Sequence, residues 1–302
     1  MRTKRTPTVS VLMPSFNYAQ YLPLAVQGVL SQRYFDLELI IVDDCSSDGS
    51  REIAGECKRL DDRVVTVFHS KNRGLACTRN TGLNVSTGKF IALCDADDIW
   101  LPDKLNIQLE HFLSNDQLGV VHSEASIIDA SGLPTGQRFS GLFHRKNQVT
   151  SGNLFSELCR RNFLCVPSVV LRREAVLYAG GFDESLRSLE DWVCWTKVSR
   201  KYLFDYVADP LVQYRMHRAS LSQDPTSMAT NRVKAIRVLL ESISDVSSRP
   251  LASMFYSIGI SYLELGQARD AVSSFARCLA AHPVQLRAWV RFCQATAFTL
   301  KA

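Results

Sequence analysis

The chain has no stretch near the about 18 consecutive apolar residues that a membrane-spanning helix requires. Its opening residues, Met1-Arg2-Thr3-Lys4-Arg5, lead into no apolar signal core. Both absences carry the expectation of a cytoplasmic protein. Nine cysteines contain no Cys-x-x-Cys pair and no regular framework, which excludes a disulfide scaffold and a zinc ribbon and points to a reducing compartment. No basic stripe with interleaved aromatics is present, so nucleic acid is excluded as a partner. The net charge of +5 is modest and its basic residues are scattered in small groups, among them Arg138, Arg145 with Lys146, Arg160 with Arg161, and Arg172 with Arg173. A solvated surface explains them by default. The functional alternative is peripheral contact with anionic lipid at the inner face of a membrane.

What the chain does have is length and apolar content: 302 residues, 46% hydrophobic, enough for a real core and two domains. Four short apolar runs, Val9–Met13, Leu37–Val42, Val64–Phe68 and Phe90–Leu93, read as buried strands. Between them the patterns of Tyr21–Gln32, Ser50–Leu60 and Gly74–Val85 have helical period. The alternation predicts an α/β fold with a mostly parallel sheet and flanking helices. Ligands in such sheets bind beyond the carboxyl ends of the strands. Four polar loops, beginning at Pro14, Asp43, Ser70 and Asp95, are therefore expected to open at one edge.

The last of these loops, Asp95-Ala96-Asp97-Asp98, places three carboxylates in four positions. Asp95 and Asp97 project the same way from an extended segment and suit one Mg²⁺ or Mn²⁺. A solvated acidic turn is the plain alternative. Ser46-Ser47-Asp48-Gly49-Ser50 equally suits a helix N-cap.

Taken together, Val9 to Asn17, Leu30-Ser31-Gln32, Glu38 to Gly49, Asn72-Arg73-Gly74 with Arg79-Asn80-Thr81-Gly82, and Asp95-Ala96-Asp97-Asp98 resemble family 2 glycosyltransferases over residues 8 to 220. That resemblance implies a GT-A fold, a nucleotide-diphosphate sugar donor with UDP favoured, a divalent metal, and inversion at the anomeric carbon. It implies a nucleotide site of Pro14, Ser15, Asn17, Asp44, Arg79 and Asp95. Asp44 would meet the base, Asp95 the ribose, and Asp97 the metal. The implied acceptor is a saccharide or a lipid-linked saccharide.

A second acidic group, Ser188-Leu189-Glu190-Asp191-Trp192, matches the family's Glu-Asp motif and makes Asp191 the general base. A helix N-terminus complemented by two acids is the plain reading. The family often has a further acid after the tryptophan, whereas this chain has Val193. Asp98, Glu190 and Trp192 are the candidate sugar or acceptor contacts. Tyr214 to Ser222 resembles the loop that closes over the diphosphate, which makes His217 a metal ligand or phosphate contact.

After Ser222 the character changes, so residues 1–222 are expected to form the GT-A domain and 223–302 a small all-α region. Phe255, Ile258, Gly259, Tyr262, Gly266, Ala271, Phe275 and Pro283 have the spacing of a 34-residue tetratricopeptide unit, and Trp289 begins a second. A repeat and a half cannot bury its own face, so these helices are expected to pack on the catalytic domain, a protein partner or a second copy. A generic helical hairpin is the alternative. Among rival functions, a phosphotransferase of the haloacid dehalogenase type is disfavoured by Asp97-Asp98-Ile99, and a sugar nucleotidyltransferase by the lack of a Gly-rich basic loop after the first strand. A scaffold built on a dead transferase is opposed by intact Asp95, Asp97 and Asp191.

Overall fold

The computed structural model describes residues 6–217, 224–244 and 246–299. Strands β1 (Val9–Ser15), β2 (Leu37–Asp43), β3 (Val64–Phe68) and β4 (Phe90–Leu93) are parallel, joined by α1 (Leu22–Leu30), α2 (Ser50–Leu60) and α3 (Leu75–Val85). Every residue of β1 is buried, because helices cover both faces; this is why the strand reads as a continuous apolar run.

The sheet continues through β5 (Ile99–Trp100), β6 (Leu118–Ile128), β7 (Pro134–Arg138), β8 (Val170–Arg172) and β9 (Leu203–Arg215). Its spatial order is β3-β2-β1-β4-β8-β6-β9-β5, with β7 on β6. This half is mixed: β8 is antiparallel to β4 and β6, β5 is antiparallel to β9, and β6 is parallel to β9. The parallel order expected from the sequence thus describes the first four strands.

Helices α4 (Lys104–Ser114), α5 (Phe139–Phe143), α6 (Phe155–Leu158), α7 (Arg173–Tyr178) and α8 (Glu190–Val198) flank the sheet. They are followed by α9 (Pro225–Ser242), α10 (Ser248–Glu264), α11 (Ala268–Ala281) and α12 (Leu286–Thr299). Alternate residues of β1 feed opposite layers. Val11 and Met13 join Val29 of α1 and Leu105 of α4, whereas Leu12 joins Leu83 of α3, Val176 of α7 and Trp195 of α8. The second layer runs on without a break into Ile236, Phe255 and Phe275 of the C-terminal helices.

Two glycines permit close contacts that position these parts. A Cβ on Gly28 of α1 would lie 3.0 Å from the Trp100 nitrogen, so the absence of a side chain lets β5 press against α1 directly after the Asp95–Asp98 turn. A Cβ on Gly259 of α10 would lie 2.6 Å from the Phe275 ring of α11. Helix α9 starts at Asp224, whose carboxylate accepts from the Thr226 and Ser227 amides, with Pro225 in its first turn. Among the described residues no helix is long and apolar enough to cross a membrane.

Candidate active site

The parallel strands bring the four polar loops to one edge, where side chains tie them together. Asn17 Oδ1 accepts from the Ser47 amide at 2.9 Å, while the Asn17 amide donates to Ser46 Oγ at 2.9 Å. Asn17 and Cys45 both hold left-handed backbone (φ 57° and 68°), a conformation that costs energy for residues other than glycine. Pro14 and Ser15 are buried beneath this junction. The buried Asp44 accepts from the Arg73 and Gly74 amides at 2.8 Å each, and its Oδ1 lies 2.7 Å from His69 Nδ1. His69 Nε2 is 3.0 Å from Thr81 Oγ1.

Three consecutive residues of α3 act as a bracket. Thr81 reaches the His69–Asp44 pair. Asn80 donates to the Phe182 carbonyl at 2.7 Å and accepts from its amide at 2.9 Å, fastening the segment ahead of α8. Arg79, 2% exposed, donates to Asp95 Oδ1 at 2.8 Å and to Glu190 Oε1. One guanidinium therefore joins the acids of the β4 loop to those of α8. Burial works against its charge, but Asp95, Glu190 and Asp191 more than offset this and keep it protonated.

Helix α8 begins after Leu189, a further non-glycine residue in left-handed backbone (φ 67°), which aims the acid pair at the site. Asp191 accepts a 2.8 Å hydrogen bond from Asn162 Nδ2. Burial raises the Asp191 carboxyl above the ordinary range, opposed by Arg79 and by hydrogen bonds that include the one from Asn162. Burial pushes Glu190 up to about 7 against the pull of Arg79.

On the other flank β5 pairs with β9 and brings Arg215 and His217 to the acidic turn. The Arg215 amide donates to Asp98 Oδ1 and its Nε to the Asp97 carbonyl, each at 2.7 Å. His217 Nε2 lies 2.9 Å from Asp97 Oδ2, beside the rings of Tyr18 and Tyr21. Burial and then Asp95 raise the Asp97 carboxyl, with His217 pulling it down. Burial and Asp97 likewise push the Tyr18 hydroxyl upward, so it remains a donor and hydrogen-bonds to Asp97. Among the described residues no cluster of three or more His, Cys, Asp or Glu could hold a metal by itself.

Of the expected site residues, Arg79 joins Asp95 to the neighbour of Asp191, Asp97 meets His217, and Asp44 is linked through His69 to Thr81 on the helix that carries Arg79. Asp98, Glu190 and Trp192, expected to contact sugar or acceptor, are as deeply buried as Arg79, at 1%, 1% and 2% exposed. Trp192 packs in the core with its indole donating to the Leu158 carbonyl at 2.6 Å, Asp98 carries the Arg215 backbone, and Glu190 is locked on Arg79. They brace the site from beneath. Of the expected closing loop, residues 218–222 lie outside the described residues. Asn162, His69 and Tyr18 were missed, since none belongs to a motif of recognisable spacing. Arg215 stood in view beside His217.

A family model described as glycosyl transferase family 2 matches residues 10–177, more than half the chain. The chain belongs to glycosyl transferase family 2. This family 2 glycosyltransferase is 30% identical over 224 residues to a putative teichuronic acid biosynthesis glycosyltransferase, TuaG, of Bacillus subtilis, covering 74% of the chain and 84% of TuaG. It is 26% identical over 265 residues to WfgD of Escherichia coli, a UDP-Glc:alpha-D-GlcNAc-diphosphoundecaprenol beta-1,3-glucosyltransferase, covering 87% of the chain and 95% of WfgD. Other relatives are longer: the chain spans only 29% of an uncharacterized glycosyltransferase from Rickettsia bellii, to which it is 30% identical over 212 residues. The GT-A fold is shared with residues 1–349 of S. aureus TarS in complex with UDP-GlcNAc, with a TM-score of 0.68, 15% identity, and coverage of 96% of this chain and 88% of that one. Against a fuller TarS chain the coverage of TarS is 53%. The Pyrobaculum calidifontis mannosyltransferase PcManGT, in complex with GDP-Man and Mn²⁺, aligns with a TM-score of 0.62, 19% identity, and coverage of 98% and 81%.

Proposed function

We propose that this glycosyltransferase moves a sugar, with inversion, from a UDP-sugar to a hydroxyl of a lipid-linked saccharide during polysaccharide or glycolipid synthesis. The observation that carries the reading is the Arg79 bridge between Asp95 and Glu190, because it couples a donor-side acid cluster to the neighbour of a buried carboxylate. Pro14, Ser15, Asn17, Asp44, Arg79 and Asp95 serve the nucleotide. Asp44 uses the acceptor capacity left beside His69, Arg73 and Gly74 for the N3–H of a uracil ring.

The residues fit a divalent ion. Asp95 and Asp97 are close enough for their like charges to oppose ionisation, and Asp97 with His217 offers two donors and leaves the remaining positions to phosphate and water oxygens. Asp97 and His217 would hold Mg²⁺ or Mn²⁺, which when bound neutralises charge on the departing diphosphate. Asp191 accepts the proton of the acceptor hydroxyl as that oxygen bonds to the anomeric carbon from the face opposite the leaving group. One base on the acceptor face is sufficient for a single displacement. Its raised carboxyl makes it a better proton acceptor than an ordinary aspartate.

In this reading residues 1–222 carry the chemistry, and α10 to α12 form a tetratricopeptide-like extension. The Gly259–Phe275 approach and the exposed outer residues Leu286, Trp289 and Phe298 of α12 support that extension and a protein partner or second copy against it. Nucleotide-sugar chemistry on a lipid-linked acceptor fits the cytoplasmic face of a membrane. The test is metal-dependent nucleotide release measured across UDP-, dTDP- and GDP-sugars with lipid-linked acceptors. Release of UDP that depends on both Mn²⁺ and acceptor supports the reading; equal release from every donor counts against the base assignment to Asp44.

A further inference from the structure

Asp191 and Trp192, consecutive residues in the first turn of α8, meet one short segment at two points. Asn162 Nδ2 donates to Asp191 Oδ2 at 2.8 Å, and the Trp192 indole donates to the Leu158 carbonyl at 2.6 Å. Residues 161–165 belong to no helix or strand, so no backbone ladder fixes where Asn162 faces. Its side-chain amide is oriented locally: Asn162 Oδ1 accepts from the Leu164 amide at 3.3 Å, which turns Nδ2 toward the carboxylate. The residues on either side of Asn162 are held from the end of α5. Arg161 Nη2 donates to the Phe143 carbonyl, and His144 Nε2 lies 3.0 Å from the Phe163 carbonyl. A carbonyl can only accept, so Nε2 of His144 carries the proton and donates. Helix α5 is itself tied to the sheet, since the Ser140 amide donates at 3.2 Å to Oε1 of the buried Glu124 on β6.

We propose that His144 and Arg161 are positioning residues for the transfer reaction: by clasping the chain on both sides of Asn162 they set the direction of its amide and, through it, the orientation of the Asp191 carboxylate. The proposal rests on the reading of Asp191 as the base and deepens it. Burial of Phe163 and Leu164, 1% and 3% exposed, fixes how deep the backbone lies. Hydrogen bonds are directional, and the two from α5 fix which way the residue between them faces. The imidazole is steered in turn by rings, with Phe139, Phe163 and Tyr206 centred 6.1, 5.9 and 6.2 Å away. Protonation of His144 leaves Nε2–H in place, so the clasp persists as pH falls. A base turned away from the acceptor hydroxyl loses rate while donor binding is spared.

The experiment follows the Asp191 carboxyl carbon by NMR in the full chain labelled at aspartate, its signal identified by its loss in Asp191→Asn. Titrations compare wild type, Asn162→Ala, His144→Phe, His144→Gln and the double variant Asn162→Ala/His144→Phe, each checked for folding by thermal unfolding. Phe keeps a ring and loses the donor, whereas Gln restores a donor at similar reach. Both are uncharged, so their difference isolates the hydrogen bond from any charge on the imidazole. Arg79, Asp95 and Glu190, which face Asp191 from α3, the β4 loop and α8, are left in place by every substitution. The expected result is a midpoint raised by about half to one pH unit in His144→Phe, as in Asn162→Ala, with no further rise in the double variant and none in His144→Gln. In His144→Phe, kcat should fall about tenfold with the donor KM unchanged. An unmoved midpoint in folded His144→Phe, or a double-variant rise equal to the sum of the single ones, overturns the proposal; His144→Leu repeats the test if Phe does not fit. A midpoint that moves while the acidic limb of kcat/KM stays in place sustains the clasp and removes Asp191 as the base, so the two failures are distinguishable.

Discussion

Asn162 donates a 2.8 Å hydrogen bond to Oδ2 of Asp191, so the carboxylate at the start of α8 is oriented by a side chain from a separate segment. The bond favours the ionised carboxylate, whereas burial favours the protonated one.

Replacing Asn162 with Ala removes the donor and leaves burial less opposed, which raises the Asp191 carboxyl further. A general base works only when ionised. The acidic limb of the kcat/KM profile is therefore expected to move to higher pH, with the donor KM unchanged. A pH profile from about 4 to 9 checks this. An unshifted limb with uniformly lower activity would reduce Asn162 to a packing role.

Asp97→Asn is expected to abolish transfer and Mn²⁺-dependent UDP binding while the protein stays folded. Loss of one of two crowded acids also relieves repulsion with Asp95, so the melting temperature should hold or rise. Calorimetric titration of UDP with and without Mn²⁺ tests the assignment. Near wild-type metal-dependent binding would remove Asp97 from the metal site.

Lys104 is wholly buried, 4.1 Å from the centre of the Trp100 ring and hydrogen-bonded to Gln108 at 2.7 Å. Burial lowers its amine from 10.5 to about 7. Because the unfolded chain binds that proton up to roughly pH 10.4, unfolding takes up a proton between these values and stability rises with pH across the window. Lys104→Met should flatten that rise, as measured by denaturant unfolding at pH 7 and pH 9. An equal rise in the variant would show that Lys104 stays charged in the fold.

The first half of the sheet was legible because β1, β2 and β4 are almost wholly buried and leave largely apolar runs, and the edge strand β3 keeps a short apolar run of its own. The second half was not. β5 and β8 are two and three residues long, too short to show any period, and β9 breaks the two-residue alternation, with Ala208 and Asp209 exposed before Pro210 and Leu211 and Val212 both buried after it. The acids proposed for the site stand out in the sequence through strand-end spacing and family motifs. Their braces do not, since Asn162 reaches Asp191 across 29 positions and Arg79 reaches Glu190 across 111. The burial of Trp192 was also missed, because a motif gives residue order without saying which side of a helix meets the core.

Gly259→Leu should lower the melting temperature, since its Cβ alone would intrude on the Phe275 ring at 2.6 Å. Overpacking of this kind costs about 1–3 kcal/mol. Turnover per folded molecule should change little, because the site residues precede position 218. Thermal unfolding with active-site titration separates the two effects, and a loss of turnover without loss of stability would tie α10 and α11 to the chemistry.

The central claim is the division of labour between a donor-side cluster at Asp95–Asp97 and a base at Asp191. It is tested most directly by measuring, on Asp191→Asn, both UDP-sugar affinity in Mn²⁺ and turnover with acceptor. Donor affinity close to wild type with turnover reduced by roughly two to four orders of magnitude is the expected result. Donor affinity falling in step with turnover would contradict the claim and make Asp191 part of the donor site.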